Sequence, residues 1–326
     1  KGANPFIHST GTQNTFVGEQ AGNISSTATR STAIGYQALK AVTYGSNNTA
    51  VGNFALLANQ DGYYNTAIGD GALSSNISGN NNVGIGISAL LQNTAGYSTA
   101  IGVEALYTNT TGDYNTAIGY QADVSTNNLT NATAIGANAI VDASDKIRLG
   151  DSYVTVIEGQ VAYTYPSDGR FKFNIQENIK GLAFIRKLRP ISYQFDTQKF
   201  DAFISQKQSA KNRKKRLKET NFSASKAMIH NGFIAQEVEK AAQESHFVFD
   251  GIKKPQHENE TYSLGYSQFV VPLVKAVQEQ QQLIEKQQQM ILSQNRINQQ
   301  QSQAIAQLQQ QIKQLMLFIK PSKTSK

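Results

Sequence analysis

NTAVG at 48–52, NTAIG at 65–69, NVGIG at 82–86, STAIG at 98–102 and NTAIG at 115–119 are one five-residue phrase, repeated through the first half of the chain. It enters as NTFVG at 14–18 and STAIG at 31–35, and leaves as ATAIG at 132–136. Its closing glycines, Gly18, Gly35, Gly52, Gly69, Gly86, Gly102, Gly119 and Gly136, lie 17, 17, 17, 17, 16, 17 and 17 residues apart. A fixed period of this length predicts a solenoid, in which each coil is too small to bury its apolar residues alone and stacked coils bury them together. Each unit reads as a short strand, a turn at the glycine, and a second apolar pair such as Ala38-Leu39, Ala55-Leu56, Ala72-Leu73 or Ala105-Leu106. Connectors rich in Asn, Gly and Thr, which are turn formers, follow. Within the phrase, Ala33, Ala50, Ala67 and Ala117 alternate with Thr on one side and Ile or Val on the other. One of these registers must line a narrow interior, and the other must meet a neighbour or solvent. The array from 14 to 141 holds no His and nothing in it reads as catalytic.

The composition agrees with a chain of local repeating units. Hydrophobic residues make up 39% and charged residues only 16%. Apolar residues recur too regularly for a disordered chain. The net charge of +7 hides an asymmetry: residues 1–166 carry 5 Lys or Arg against 10 Asp or Glu, and residues 167–326 carry 25 against 13. Such a split points to separate modules. Lys211, Arg213, Lys214, Lys215, Arg216 and Lys218 concentrate the basic excess. A run of this kind reads as a solvated insertion or as a nucleic-acid or membrane patch, and no interleaved aromatics support the latter, so no nucleic-acid partner is expected. Without cysteine there is no disulfide framework and no thiolate metal site. His230, His246 and His257 lack metal-ligand spacing, so neither a metal nor a cofactor is expected. No apolar run is long enough to cross a membrane. The start at Lys1 suggests an excised fragment whose export signal lies elsewhere.

The NTAIG and STAIG repeats resemble the head repeats of trimeric autotransporter adhesins, whose similar motif builds a parallel β-roll in each of three subunits. The resemblance implies a trimeric head or shaft over 1–141, serving as a spacer or binding a surface glycan or protein. The period of 17 exceeds that family's usual repeat, so connectors must loop out.

After Val141 the repeat gives way, and Ile147 to Tyr165 alternates in β fashion between breaks at Gly150 and Gly159. This predicts a β neck over 142–166. Tyr165-Pro166-Ser167-Asp168-Gly169-Arg170-Phe171-Lys172 follows. Ser167-Asp168-Gly169 after a proline is a turn sequence. A serine and a lysine five apart can also form a nucleophile and base pair, if the amine loses its proton and takes that of the hydroxyl.

SDGRFKFNI at 167–175, KLRPISYQF at 187–195, GFIAQEVEK at 232–240 and YSQFVVPLVKAVQEQ at 266–280 occur in this order. Together they resemble the intramolecular chaperone domain at the C-terminus of phage endosialidases and of phage tail and neck fibres, found also in a eukaryotic myelin-regulating transcription factor. The resemblance implies an intertwined trimer that assists assembly of the fibre ahead of it and then cuts itself off. By position it makes Ser167 the nucleophile and Lys172 its general base, with Asp168 and Arg170 as supporting motif residues and Pro166–Ser167 as the scissile bond. Arg170 would serve either as an oxyanion donor or in a structural ion pair. Two departures stand out: Phe173 replaces the acidic residue that often follows the lysine, and 197–228 reads as a long basic insertion.

From Leu273 onward a heptad runs without a break, with Val277, Ile284, Ile291, Asn298, Ile305, Ile312 and Ile319 at one core position. Leu273, Gln280, Gln287, Gln294, Gln301, Leu308 and Leu315 take the other. Ile-rich core positions lean away from a dimer, Asn298 fixes register, and Pro321 stops the helix. The expected architecture is therefore mainly β solenoid (1–141) and β neck (142–166), then a small α/β self-cleaving chaperone domain (167–272), a trimeric coiled coil (273–320) and a tail (321–326). The expected role is a homotrimeric fibre or adhesin at the cell surface or on a virion, that is, extracellular. The alternative is a non-catalytic adhesin with a permanent trimerisation domain.

Overall fold

The Thr-Ala-Ile phrase is the strand of each coil. In a computed structural model that describes residues 7–208, 210, 213–214, 217 and 220–318, these strands are β2 (Thr15–Val17), β3 (Thr32–Ile34), β4 (Thr49–Val51), β5 (Thr66–Ile68), β6 (Val83–Ile85), β7 (Thr99–Ile101), β8 (Thr116–Ile118) and β10 (Thr133–Ile135). They stack in parallel with like on like, Ala50 opposite Ala67 and Ala100 opposite Ala117. β1 (Ile7–His8) closes one edge antiparallel to β2, and β12 (Ile147–Leu149) extends the other edge parallel to β10, giving ten strands.

The alanines face inward. Ala33, Ala50, Ala67, Ala100, Ala117 and Ala134 are fully buried, whereas Ile34, Ile68, Ile101, Ile118 and Ile135 remain between 39% and 42% exposed. The alternation of strand side chains thus puts the small residue in the narrow interior and leaves an isoleucine stripe along the outside. The inner space is filled by Leu39, Leu56, Leu73, Leu90 and Leu106, one per coil and all fully buried. Each such burial is worth about 1.5–3 kcal/mol relative to exposure.

The Asn that opens the phrase explains its place. Asn65 is buried, yet its carbonyl oxygen accepts from the backbone N–H of Asn82 at 3.0 Å and its amide donates to Gly79 O at 2.8 Å. Asn48 does the same toward Asn65 and Gly62, and Asn115 toward Ala132 and Leu129. A buried amide is tolerated because both of its ends are hydrogen-bonded to the next coil. A second column, Asn59 and Asn76, runs beside it with Asn76 Nδ2 donating to Asn59 Oδ1 at 2.9 Å. The one 16-residue step interrupts this column. Asn93 turns to Ala95 O instead, and Asn76 Oδ1 is left buried without a partner.

The last two coils depart from the pattern. Where earlier coils place a leucine four residues after the glycine, these place Asp123 and Ile140. The backbone there forms β9 (Asp123–Val124) and β11 (Ile140–Val141), paired in parallel. Val124 and Val141 join the inner core, whereas Asp123 and Ile140 stand outside it and are nonetheless 2% and 0% exposed.

The segments Ile191–Gly232 and Lys254–Tyr262 belong to the same compact unit as the solenoid, whose N-terminal span ends at Pro166. They contribute an antiparallel pair, β13 (Ile191–Gln194) with β14 (Ile229–Gly232), and two short helices, α2 (Thr197–Ile204) and α3 (Ser223–Ala227). Asp196 caps α2 by accepting from the backbone N–H of Lys199. The stretch read as a long basic insertion, 197–228, is therefore partly built into the unit: Ile204 and Ser205 are buried. Of its basic run, Arg213 and Lys214 lie within the described residues and Lys211, Lys215, Arg216 and Lys218 lie outside them.

The second unit comprises Ser167–Pro190, Phe233–Lys253 and the chain from Ser263 onward. Its elements are α1 (Leu182–Ile185), α4 (Ala235–Glu244), the pair β15 (Ile252–Lys253) with β16 (Ser263–Leu264), and α5 (Val270–Phe318). Phe184, Val238, Ala241, Ala242, Phe249 and Phe269 form its core, with Phe233 and Phe247 packed against them. Gly181 lets the chain pass directly over α5, since a Cβ there would lie 2.6 Å from the backbone nitrogen of Ala276. The next residue's N–H then donates to Glu279 of α5 at 2.8 Å. α5 is a single helix of 49 residues, and Pro272 sits in its first turn, where a missing N–H costs nothing. Its heptad residues Val277, Ile284, Ile291, Ile305, Leu308, Ile312 and Leu315 are 40–63% exposed. Ile319 and Pro321 lie outside the described residues.

Between the solenoid and α1, every residue from 153 to 178 is exposed. Of the expected β neck over 142–166, only β12 pairs, and it does so as the last strand of the solenoid sheet. The alternating residues beyond it find no strand to pair with among the described residues, and a strand without an edge to join does not form.

Candidate functional site

The segment that follows Pro166 is short on regular structure but closely organised. Asp168 caps a 3-10 turn at Gly169–Phe171 by accepting from the backbone N–H of Arg170 at 2.9 Å. The turn is closed by Phe171 N–H on Asp168 O and Lys172 N–H on Gly169 O. It reverses the chain far enough that Lys172 Nζ lies 2.8 Å from Ser167 Oγ. Spacing of five residues thus becomes hydrogen-bond contact through one turn, with Gly169 at its start.

Arg170 folds back as well. Its Nε and Nη2 donate to the same Asp168 oxygen at 2.9 and 2.6 Å. These side-chain bonds, and then the backbone bond from Arg170, hold the Asp168 carboxyl below its ordinary range. The same contact raises Arg170. The guanidinium is thus engaged in an ion pair with Asp168 within the turn. Ser167, Asp168, Arg170 and Lys172 are all exposed, as are Phe171 at 80% and Phe173 at 92%.

A second pairing in this unit was not anticipated from the sequence. Arg189, in KLRPISYQF, makes a two-pronged bond to Glu237, in GFIAQEVEK, at 3.1 and 2.5 Å. The bond from Arg189 lowers Glu237. The two motifs are thereby tied across the domain, and an Arg matched to a carboxylate is the usual signal for such a fork. Among the described residues no cluster of His, Asp or Glu is placed to hold a metal ion, and no helix is long and apolar enough to cross a membrane. His230 lies opposite Tyr193 in the β13–β14 pair, their rings tilted by 30° with centroids 5.5 Å apart.

The chain is a β-solenoid followed by a small α/β region and one long C-terminal helix. Residues 167–246 match the sequence family described as the chaperone of endosialidase, and the match opens at Ser167. It takes in SDGRFKFNI, KLRPISYQF and GFIAQEVEK, and the 266–280 stretch lies beyond it. The chain therefore carries a chaperone-of-endosialidase domain preceded by a β-solenoid, and that domain implies assembly as a trimeric, fibre-like protein. No curated protein and no solved structure matches the chain.

Proposed function

We propose that this chain is one subunit of a homotrimeric extracellular fibre, and that its C-terminal part assembles the trimer and then severs Pro166–Ser167. The observation that carries the proposal is the 2.8 Å contact between Ser167 Oγ and Lys172 Nζ at the first residues of the matched domain.

Three exposed apolar surfaces support the trimer. They are the isoleucine stripe of the solenoid, the residues Val161, Tyr163 and Tyr165 at 73–81% exposure, and the heptad face of α5. The isoleucine stripe and the heptad face belong to segments with a regular repeat, and all three surfaces are buried symmetrically when identical copies associate. A second copy is the occupant that matches each surface to itself.

In the reaction, Ser167 Oγ attacks the carbonyl carbon of Pro166 as Lys172 Nζ takes the hydroxyl proton. The tetrahedral oxyanion collapses with rupture of the Pro166–Ser167 C–N bond, and Lys172 returns the proton to the leaving amine. The resulting ester is hydrolysed by water, which leaves a carboxylate on Pro166 and a free amino group on Ser167. Lys172 must be a neutral amine to begin. Removing an ammonium from water favours the neutral form, so trimer wrapping around the exposed 153–178 segment would switch the dyad on. Cleavage then reports completed assembly.

The test is intact mass and denaturing electrophoresis of wild type and Ser167→Ala. Wild type should yield a 1–166 piece once trimeric, and Ser167→Ala should stay whole. A wild-type trimer that also stays whole would favour the alternative, a permanent non-catalytic trimerisation domain.

A further inference from the structure

We propose that Ile191–Gly232 and Lys254–Tyr262 form a clamp on the last two solenoid coils, which keeps the chaperone fragment bound to the fibre after the backbone between Pro166 and Ser167 is cut. The cut itself rests on the reading above; the clamp does not.

The clamp is built at four places. Gln208 Nε2 lies 3.4 Å from Asp123 Oδ2, and Thr261 Oγ1 donates to Asp142 Oδ2 at 3.2 Å. The Arg148 guanidinium, on β12, sits over the Phe200 ring of α2 at 5.1 Å. Asn221 N–H donates to the hydroxyl of Tyr153. Each of these bonds joins a residue before the scissile bond to one after it. Breaking one peptide bond at 166–167 therefore leaves the compact unit held by side chains.

The solenoid has been altered to receive this clamp. In the five coils with leucine, the fourth residue after the glycine points into the core; here Asp123 and Ile140 occupy it and the β9–β11 strands turn them outward. Outward residues of a solenoid end are expected to be wet, but Asp123, Ile140 and Asp142 are 2%, 0% and 2% exposed. A buried outward isoleucine between two buried carboxylates is a docking face with its occupant in place. Terminal coils need a cover for their last apolar layer, and the chaperone provides it during assembly.

Asp123 makes the grip depend on pH. Burial pushes its carboxyl up to about 7, against the lowering effect of bonds from Thr108, Val124 and Gln208. Among the described residues, the charged or titratable groups on the packed segments are Tyr193, Asp196, Lys199, Asp201, Lys207, Arg213, Lys214, Lys226 and His230 on the first, and Lys254, His257, Glu258, Glu260 and Tyr262 on the second. Asp142, Lys146 and Arg148 lie on the last coil. Lys146 pairs with Asp142 at 2.7 Å and Lys207 with Glu258 at 3.6 Å. The clamped state favours the protonated form of Asp123, whereas the open, solvated carboxyl gives up its proton at its ordinary value of 3.8. Clamping is thus strongest in acid and weakens as pH rises toward 7, above which Asp123 adds no further change.

The experiment uses the full chain carrying Ser167→Ala and a site-specific protease sequence inserted after Gly159, within the exposed segment. This makes the cut independent of the dyad. After cutting, the two pieces should co-elute on size exclusion at pH 5.5, with a dissociation constant about tenfold higher at pH 8. Asp123→Asn should bind at both pH values with little difference, which separates Asp123 from His257. Gln208→Glu with Ile140→Asp should release the pieces while far-ultraviolet circular dichroism retains the solenoid signal. If that double variant misfolds, Phe200→Ser, on the chaperone side alone, gives the same readout. Pieces that separate at once in the parent protein, or that co-elute unchanged in Phe200→Ser, would overturn the clamp whether or not Ser167 cuts. An unaltered pH dependence in Asp123→Asn would overturn the role given to that carboxyl.

Discussion

The solenoid and the segment at 153–178 are both β-prone, and the structure treats them in opposite ways. The solenoid satisfies itself: the strands of the repeated phrase find their partners 16 or 17 residues away along the same chain, and Asn48, Asn65 and Asn115 of the inner column bond the next coil. The 153–178 segment carries comparable alternation, yet its Val161, Tyr163, Tyr165, Phe173 and Ile175 are 73–92% exposed. The difference teaches that periodicity supplies an internal partner, whereas a single non-repeating strand must borrow one. Under the proposed reading the cut at Pro166–Ser167 falls in the part that must borrow its partner, so processing would wait for assembly.

The largest effect that would break this comparison comes from charging the exposed segment. Val161→Asp with Tyr163→Asp should lower the cleaved fraction at least tenfold and reduce the trimer in analytical ultracentrifugation, while the melting of the solenoid stays the same. If cleavage continues in such a variant, assembly is not what enables the dyad. A smaller effect is expected inside the self-sufficient part. Gly69 holds φ at +133°, and a Cβ there would lie 2.5 Å from Gly86 O. Gly69→Ala should cost about 1–3 kcal/mol, read by thermal unfolding, without changing the oligomeric state. The smallest effect concerns the interrupted column. Adding one residue between Asn93 and Ala95 restores the 17-residue step and brings an amide to Asn76 Oδ1. A gain of about 1 kcal/mol is expected in denaturant unfolding, and a loss would show that the short step is compensated elsewhere.

Much of the candidate site was legible because it is local. Ser167 and Lys172 meet through one turn whose cap and glycine are adjacent in sequence, so the motif and its geometry are nearly the same statement. Arg170 is the exception. Sequence left it between a donor and an ion pair, and only the coordinates show both of its prongs on Asp168. The Arg189–Glu237 fork joins residues 48 apart and could not be read from either motif alone.

The coil, its length, the opposition of alanine and isoleucine registers, and the heptad of the final helix are all legible in the spacing of residues alone. Those depend on spacings that a strand or helix converts directly into a face. Which register is interior, that Asp123 and Ile140 leave the inner core, and that Gln208 reaches Asp123 are known only from the folded chain. The register is set by packing between neighbouring coils, and the Asp123 and Asp142 contacts by residues more than 80 apart, where burial rather than local periodicity sets the outcome.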